Sequence, residues 1–446
     1  MQSIHIPVLL WLIVAQQSSA FQASVRSNSK SMKLKAIPSW KDLSSMPNFD
    51  FEQPVAINGA SYSSRPSTTE GNPTLYRERH GWCPYSERIW LALEAKGVEY
   101  DTVYIDNIYG RPSWYSGDTP QIRWPDGKIQ SESMDLVREV DKRFDGSFTL
   151  YPEDIINEVI DKERAFRNIF PRGARPSSRA AFLFRYDGEP LWKNEFEKTL
   201  KETDALLSET AVDGPFFCGS RFTAADIAWA PFLERYAGQL PCLHDELDPK
   251  CKVTYPNLSA WYKAMDELVP AYACRVRGDL SSWRKVLTMA GFGNVGVPPV
   301  VSSRMDGEDI KESAPLDLER KQRQQSVWET YAATRPHVAP SPGKEAASVL
   351  IRNREMIAKD ILKRLGMKSN KHDLPSDEEQ LDATMRSLAC ILCEDRYDKS
   401  TLDECKNDDH VKTLASFLDE RMCVPRDMGA LSAACYKRLA HDNFFE

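Results

Sequence analysis

The sequence predicts three consecutive structured regions: an α+β domain, an all-α domain and a helical, cysteine-rich extension. Residues 73–146 alternate between strand and helix patterns, whereas residues 150–290 hold helix patterns only. Helix patterns resume over residues 346–446, after a proline-rich stretch over 291–345 that reads as a linker. The 446 residues, 41% hydrophobic and 28% charged, have the composition of a soluble globular chain of two to three domains.

The first domain is predicted to follow the order β-α-β-β-β-α. A turn at Pro125 to Gly127 joins the last two strands. The predicted elements are Thr74 to His80, Glu87 to Lys96, Tyr100 to Ile105, Thr119 to Trp124, Ile129 to Gln130 and Ser131 to Phe144. This order within one short domain is typical of the thioredoxin-like architecture.

The turn between the first strand and the first helix carries the sequence Cys83-Pro84-Tyr85-Ser86. Proline at the first helical position loses no hydrogen bond and presets the helical φ. The unpaired amides and the positive end of the helix dipole favour a thiolate at Cys83, the form that acts as a nucleophile. Ser86 stands where a dithiol motif has its second cysteine, so the pattern indicates chemistry on one sulfur.

The helical domain contains one strong start signal. Thr223-Ala224-Ala225-Asp226 matches a capping box, in which the threonine hydroxyl and the aspartate carboxylate each accept a backbone N–H at the helix start. The apolar run Ile227 to Leu233 follows at once. We therefore expect the most hydrophobic helix of this domain to begin here.

These motifs, in their order and spacing over residues 74–287, resemble the glutathione transferases, and within them the cysteine-dependent lambda, omega and dehydroascorbate-reductase classes. The segments that carry the resemblance are Cys83 to Arg88, Thr119-Pro120, Glu132 to Leu136, Phe216 to Gly219, Thr223 to Asp226 and Pro231 to Arg235.

The resemblance implies a set of site residues. It makes Cys83 the catalytic residue and glutathione the co-substrate, with no metal. It makes Pro120 a cis proline, with the backbone of Thr119 pairing with the cysteinyl part of glutathione. The implied glutathione-binding residues are Pro84, Tyr85, Thr119, Pro120, Glu132 and Ser133.

Two of these residues also have a chemical rationale of their own. The α-carboxylate of glutathione suits a hydroxyl and free amides at a helix start, and its ammonium group needs a carboxylate. Ser133 and Glu132 supply these groups at the predicted third helix. A purely structural role for Ser131 or Ser133, as a helix cap, is compatible with binding.

One residue departs from the related classes. They usually have a basic or amide residue just before the cis-proline dipeptide, where it meets the glycine carboxylate of glutathione. Asp118 stands there in this chain and would repel that carboxylate. Either Arg123, Arg111 or another cation takes over this contact, or glutathione binds more weakly.

By the resemblance, we expect a glutathione-dependent thiol transferase or dehydroascorbate reductase, with Cys83 forming a mixed disulfide with glutathione. Its partners would be glutathione and a small oxidised or electrophilic substrate, and a homodimer is compatible with the resemblance. The alternative is a non-catalytic protein of the same fold that binds a ligand or another protein, which Asp118 favours. The net charge of −7 argues against a nucleic-acid partner.

The first 72 residues read as a targeting region. The apolar run Ile4 to Ala15 is short for a membrane span, so we interpret residues 1–20 as a signal peptide cleaved after Ala20, with a short anchor as the alternative. No stable membrane span is expected after processing.

Residues 21–72 are interpreted as a largely disordered transit and linker segment. Phe21 opens a basic stretch without acidic residues that runs to Lys41. A signal peptide followed by such a stretch resembles the bipartite presequence of algae with secondary plastids. We therefore expect delivery to the plastid (chloroplast), with secretion as the alternative.

The extension over 346–446 holds five of the ten cysteines: Cys390, Cys393, Cys405, Cys423 and Cys435. Three interpretations stay open for them: buried free thiols, one or two disulfides, or a zinc site. Only Cys405 with His410 approaches the second ligand pair that zinc needs. The region's role is open between docking, dimerisation and redox sensing.

Overall fold

The structure is a computed structural model. It describes residues 37–45, 56–58, 65–106, 111–170, 192–244, 247–292, 296–312, 317–365 and 372–441. The predicted signal peptide and most of the predicted transit segment lie outside these residues.

The N-terminal domain contains one mixed sheet and two helices. The strands are β1 (Ala56–Asn58), β2 (Thr74–Glu78), β3 (Asp101–Ile105), β4 (Gln121–Arg123) and β5 (Ile129–Gln130), and the helices are α2 (Pro84–Lys96) and α3 (Ser133–Arg143). The strand order in the sheet is β1-β3-β2-β4-β5. Strands β1 and β2 run parallel to β3, whereas β4 is antiparallel to both β2 and β5.

Side chains alternate across this sheet as the period of a strand requires. Leu75 belongs to the main core with α2 and α3, while the next residue, Tyr76, belongs to a small cluster on the other side. Trp114 and Tyr115, from the connection between β3 and β4, pack on Tyr76 with ring centres 6.0 and 5.8 Å away. Both aromatic residues therefore cover the second face of the sheet.

The second domain is helical and surrounds one apolar helix. Its helices are α4 (Ile156–Ile169), α5 (Lys193–Ser208), α6 (Ala224–Leu243), α7 (Pro256–Leu268) and α8 (Leu280–Val286), with π-helical segments at Tyr272–Val276 and Leu287–Phe292. Nearly all residues of α6 are buried, as expected for a helix that is apolar on every side. Its predicted capping box is present: the Asp226 carboxylate accepts the Thr223 N–H at 2.9 Å.

A thioredoxin-like domain followed by an all-helical domain and further C-terminal helices confirms the predicted fold class. The C-terminal part consists of α9 (Pro299–Glu312), α10 (Leu318–Ala332), α11 (Pro342–Leu365), α12 (Glu378–Leu392), α13 (Lys399–Lys406), α14 (His410–Arg421) and α15 (Ala430–Ala440).

The stretch 291–345, predicted as a linker, contains helices α9 and α10. Buried Arg284 on α8 holds α9 through Asp309 at 2.5 Å and Glu312 at 2.8 Å. Tyr331 on α10 donates its hydroxyl to Glu94 of α2 at 3.0 Å. The residues that hold these helices, Arg284 and Glu94, lie outside the stretch 291–345. The proline-rich composition of the stretch therefore does not reveal them.

The stretch 21–72, predicted to be largely disordered, contains strand β1 and the short helix α1 (Trp40–Ser44). Helix α1 begins with a capping box between Ser39 and Asp42 and packs against α11 and α12. The Trp40 indole donates to Asp382 at 2.6 Å, and Leu43 is fully buried. The Ser-x-x-Asp pattern was the local signal for this helix.

All ten cysteines carry free thiols, and the five in the extension are buried. Within the described ranges, no group of three or more His, Cys, Asp and Glu side chains could hold a metal ion. Among the described helices, none combines the length and apolar character needed to cross a membrane.

A buried charge cluster joins the first domain to the second. Arg235 of α6 places Nη1 2.7 Å from Glu87 Oε2 on α2 and 3.3 Å from Glu234 Oε1, and these side chains are at most 4% exposed. Burial raises the pKa of both carboxyl groups, and the charge of Glu87 adds to the effect at Glu234. The arrangement favours a protonated Glu234 beside an Arg235–Glu87 ion pair.

We expect Arg235→Met to lower the free energy of unfolding by about 3–5 kcal/mol, because the Glu87 carboxylate would stay buried without its cation. Urea denaturation followed by far-UV circular dichroism measures the loss. Adding Glu87→Gln should recover much of it. Lys201→Met, which breaks a surface pair with Glu197, should cost at most about 1 kcal/mol. A similarly small loss for Arg235→Met would contradict the prediction.

Candidate active site

Cys83 lies at the N-terminus of α2, in the turn that leads from β2 into this helix. It is the N-cap residue, with extended backbone angles, and Pro84 is the first helical residue. Its carbonyl accepts the first helical hydrogen bond from Glu87 N–H at 3.1 Å. The half-buried thiol is therefore next to the positive end of the helix dipole, as the sequence predicts.

The structure brings Cys83 together with the predicted proline dipeptide. Its Sγ lies 3.8 Å from the carbonyl oxygen of Thr119. The Thr119–Pro120 peptide bond is cis, which confirms the expectation for Pro120. Ser86, the residue in place of a second thiol, is buried on the inner side of α2.

The turn before the thiol, residues 79–83, is braced from two sides; we call it the Cys83 turn. The Glu78 carboxylate accepts the N–H groups of His80 at 2.6 Å and Trp82 at 2.9 Å. Arg235 donates to the carbonyl oxygen of Trp82 at 3.1 Å. The backbone of the residue next to Cys83 is thus fixed at both its N–H and its C=O.

His80 does not supply a cation to the thiol at neutral pH. Its ring stacks on Trp82 with the centres 4.8 Å apart, and it is buried. Burial is the main reason that its pKa lies below the ordinary value for histidine, so the ring is neutral. The charge of this ring therefore does not stabilise a thiolate at Cys83, whereas the N-terminus of α2 would.

Glu132 and Ser133 stand at the start of α3. Glu132 is the N-cap residue and has a φ of 72°, the one positive φ at a non-glycine residue in the described part of the chain. Its side chain is exposed, whereas Ser133 is buried at the first helical position. Strained backbone of this kind is concentrated at functional sites, where the surroundings hold it in place.

A cavity of about 410 Å³ extends from α2 and α3 to α4 and α6. Its lining includes Tyr85, Arg88, Glu132, Ser133, Phe166 and Phe232. Three of the predicted glutathione-binding residues therefore share one cavity. Cys83, Thr119 and Pro120 are outside its lining, as is Pro84, which lies between Cys83 and Tyr85.

Arg88, Phe166 and Phe232 form a wall that the sequence did not predict. The Arg88 guanidinium donates to the carbonyl oxygen of Ala228 at 2.6 and 3.0 Å and lies 4.7 Å from the centre of the Phe166 ring. Tyr85 meets Phe232 edge to face at 5.8 Å. The sequence signal for this wall was the presence of two motifs whose residues pack together. Tyr85 and Arg88 belong to the motif Cys83 to Arg88, and Phe232 belongs to the motif Pro231 to Arg235.

The two arginines considered for the glycine end of glutathione lie in different places. Arg111 donates to the carbonyl oxygen of Gly117, directly before the exposed Asp118. Arg123 instead faces the hydroxyl groups of Thr68 and Thr74. Only Arg111 of this pair is beside the loop that precedes the cis proline.

Comparison with known proteins gives the family. The family model for the glutathione S-transferase N-terminal domain matches residues 82–143, and the one for the C-terminal domain matches residues 190–264. Glutathione S-transferase L1 of Arabidopsis thaliana is 30% identical over 219 residues, which are 46% of this chain and 83% of that protein. The chain belongs to the glutathione S-transferase family. Glutathione is the co-substrate of this family, and helices α9 to α15 lie beyond both matches.

Two further similarities complete the comparison. "Glutathione S-transferase L2, chloroplastic" of Arabidopsis thaliana is 26% identical over 206 residues, covering 42% of this chain and 61% of that protein. The crystal structure of glutathione transferase Omega 3C from Trametes versicolor has 20% identity and a TM-score of 0.38, covering 50% of this chain and 91% of that one.

We expect Glu132→Gly to cost no stability and to weaken glutathione binding by about tenfold or more. Release of about 1–2 kcal/mol of backbone strain offsets the added chain entropy of glycine, while the predicted partner of the glutathione ammonium is lost. Thermal unfolding and isothermal titration calorimetry measure the two effects. The matched variant Glu132→Gln keeps the strain and should weaken binding only. Unchanged affinity in both variants would remove Glu132 from the site.

Proposed function

We propose that this glutathione S-transferase is a thiol transferase that uses Cys83 as its nucleophile. The observation that carries the proposal is the position of the Cys83 thiol, at the N-terminus of α2 and 3.8 Å from the carbonyl oxygen that precedes cis-Pro120. A thiolate at a helix N-terminus is stabilised by the helix dipole and free amides. A Tyr or Ser in this place would activate the glutathione thiol, whereas a cysteine forms a disulfide with it.

The reaction proceeds by two thiol–disulfide exchanges. The Cys83 thiolate attacks the glutathione sulfur of a mixed disulfide, which forms the Cys83–glutathione disulfide and releases the substrate thiolate. The thiolate of a second glutathione then attacks the glutathione sulfur of the Cys83–glutathione disulfide. Oxidised glutathione leaves, and the Cys83 thiolate is restored.

A monothiol mechanism accounts for the serine at position 86. A serine has no thiol with which to attack the mixed disulfide, so its resolution falls to glutathione and not to a neighbouring side chain. Glu132 and Ser133 would hold the γ-glutamyl end of that glutathione and the backbone of Thr119 its cysteinyl part, while Pro84, Tyr85 and Pro120 would complete the binding site.

Dehydroascorbate is a second substrate for the same nucleophile. Two glutathione molecules supply the two electrons that convert it to ascorbate, and they leave as one molecule of oxidised glutathione. The aromatic wall of Phe166 and Phe232 favours a flat or apolar acceptor for the neighbouring cavity.

The competing proposal is a protein of this fold that binds ligands without turning them over. It is supported by Asp118 and by a 410 Å³ cavity whose lining does not include Cys83. The two proposals differ in what loss of the Cys83 thiol would do.

Cys83→Ser is expected to lower the rate at which glutathione reduces the mixed disulfide of glutathione and 2-mercaptoethanol by about a hundredfold or more, because the attacking sulfur is lost. Formation of oxidised glutathione, coupled to NADPH oxidation, measures the rate. Cys251→Ser, at another half-buried thiol, is the control and should keep the full rate. Equal rates in the wild type and Cys83→Ser would favour the binding protein.

For the glycine end of glutathione we propose Arg111. Arg111→Ala should raise the KM for glutathione about three- to tenfold, the effect of losing one partly exposed charged contact, with little change in kcat. Arg123→Ala is the matched control, since its guanidinium faces Thr68 and Thr74. A larger rise in KM for Arg123→Ala than for Arg111→Ala would reverse the assignment.

We also propose that the protein is delivered to the plastid, with secretion as the alternative. The signal-like run before Ala20 and the basic stretch from Phe21 to Lys41 support this, as does a relative whose name includes "chloroplastic". Localisation of a fluorescent fusion to residues 1–72 distinguishes the two destinations.

A further inference from the structure

The extension reaches the Cys83 turn through the segment Cys423 to Asp427, which connects α14 to α15 and which we call the 423–427 segment. The Trp82 indole N–H donates to Cys423 Sγ at 3.3 Å. A methyl group at Gly81 would lie 3.5 Å from Pro425 Cγ and 3.7 Å from the backbone nitrogen of Arg426, so the segment packs closely beside the turn at Gly81. Residues more than 300 positions from the turn therefore form one of its sides.

The 423–427 segment is held firmly enough to act as a support. The Asp427 carboxylate accepts the Cys423 N–H at 2.9 Å and pairs with Arg426 at 2.7 and 2.8 Å. Val424 N–H donates to the Ser282 hydroxyl of α8 at 2.8 Å. The two ends of the segment are thus tied to each other, and its second residue is tied to the helical domain.

Lys285 of the same helix α8 fixes the approach to the segment. Its Nζ donates to the carbonyl oxygens of Asp419 at 2.7 Å and Met422 at 3.1 Å, at the end of α14. Cys423 follows directly and is 6% exposed. Its sulfur therefore has a defined position relative to Trp82.

Trp82 connects the 423–427 segment to Cys83. Glu78 holds its N–H, Arg235 holds its carbonyl oxygen and His80 stacks on its ring. The indole N–H is the remaining polar group, and its acceptor belongs to the extension. Because Cys83 follows Trp82 directly, the hydrogen bond from the indole to Cys423 ties the turn that carries the thiol to the extension, in addition to the backbone contacts with Glu78 and Arg235.

We propose that the 423–427 segment positions Cys83 for reaction, with Cys423 acting as the acceptor that orients Trp82. Cys423 is a positioning residue in this proposal and forms no bond to substrate. The proposal rests on the proposed role of Cys83 as the nucleophile, and it gives the extension a part in that chemistry.

The test is the second-order rate of Cys83 alkylation by iodoacetamide at pH 7, without glutathione or acceptor, measured by peptide mass spectrometry on the full chain. Cys423→Val keeps the side-chain volume but removes the hydrogen-bond acceptor. It should slow alkylation about three- to tenfold, the change that corresponds to the free energy of one weak hydrogen bond. Cys423→Ser restores an acceptor and should recover most of the rate. Alkylation of Cys251 in the same sample is the internal reference.

Two further variants separate positioning from general destabilisation. Cys393→Val changes another buried thiol of the extension, away from the turn, and should leave the Cys83 rate unchanged. Trp82→Phe should slow alkylation as Cys423→Val does, and the double variant should be no slower than either. The proposal is overturned if Cys423→Val matches the wild type, if serine fails to rescue, or if Cys393→Val slows Cys83 equally.

The alkylation assay separates this inference from the proposed function. Loss of rate in Cys423→Val, together with a wild type that reduces no mixed disulfide, would retain the positioning role and reject the thiol transferase. Full transferase activity of the wild type, together with unchanged alkylation in Cys423→Val, would retain the thiol transferase and reject the positioning role.

Discussion

The guanidinium of Arg235 is the interaction on which the arrangement of the domains depends. It pairs with Glu87 on the helix that begins at Cys83, and it also donates to the carbonyl oxygen of Trp82. A single buried charge therefore fixes α2 against α6 and fixes the turn that presents the thiol. Such a cation is costly to bury, and here two carboxyl groups, the carbonyl oxygens of Pro231 and Trp82 and the face of Trp283 at 3.9 Å offset that cost.

Arg88 extends this connection to the ligand side of α2. It shares the helix with Cys83, holds the Ala228 carbonyl oxygen of α6 and supports the ring of Phe166. The cavity wall and the Cys83 thiol are consequently connected through the same helix. A change in the packing of α2 on α6 would move both together, so the shape of the cavity and the position of the thiol are linked.

The parts of the fold and site that could be predicted from sequence are those set by local rules. Pro84 and the apolar spacing after it place the start of α2, and Thr223 with Asp226 places the start of α6. The parts that could not be predicted depend on distant partners. Helices α9 and α10 are held by Arg284 and Glu94, and the acceptor for Trp82 is 341 residues away in the sequence. Nothing in the local pattern around Trp82 points to Cys423.

The docking of α1 has a consequence for the order in which the protein is completed on the ribosome. The indole of Trp40 and its acceptor, Asp382, are 342 residues apart, so this helix emerges long before the surface that receives it. The sheet and the domain around α6 can fold first, since domains generally fold as units during synthesis. The residues around Trp40 then stay open to cellular factors until α11 and α12 have been made, and only afterwards does the start of the described chain pack onto these two helices.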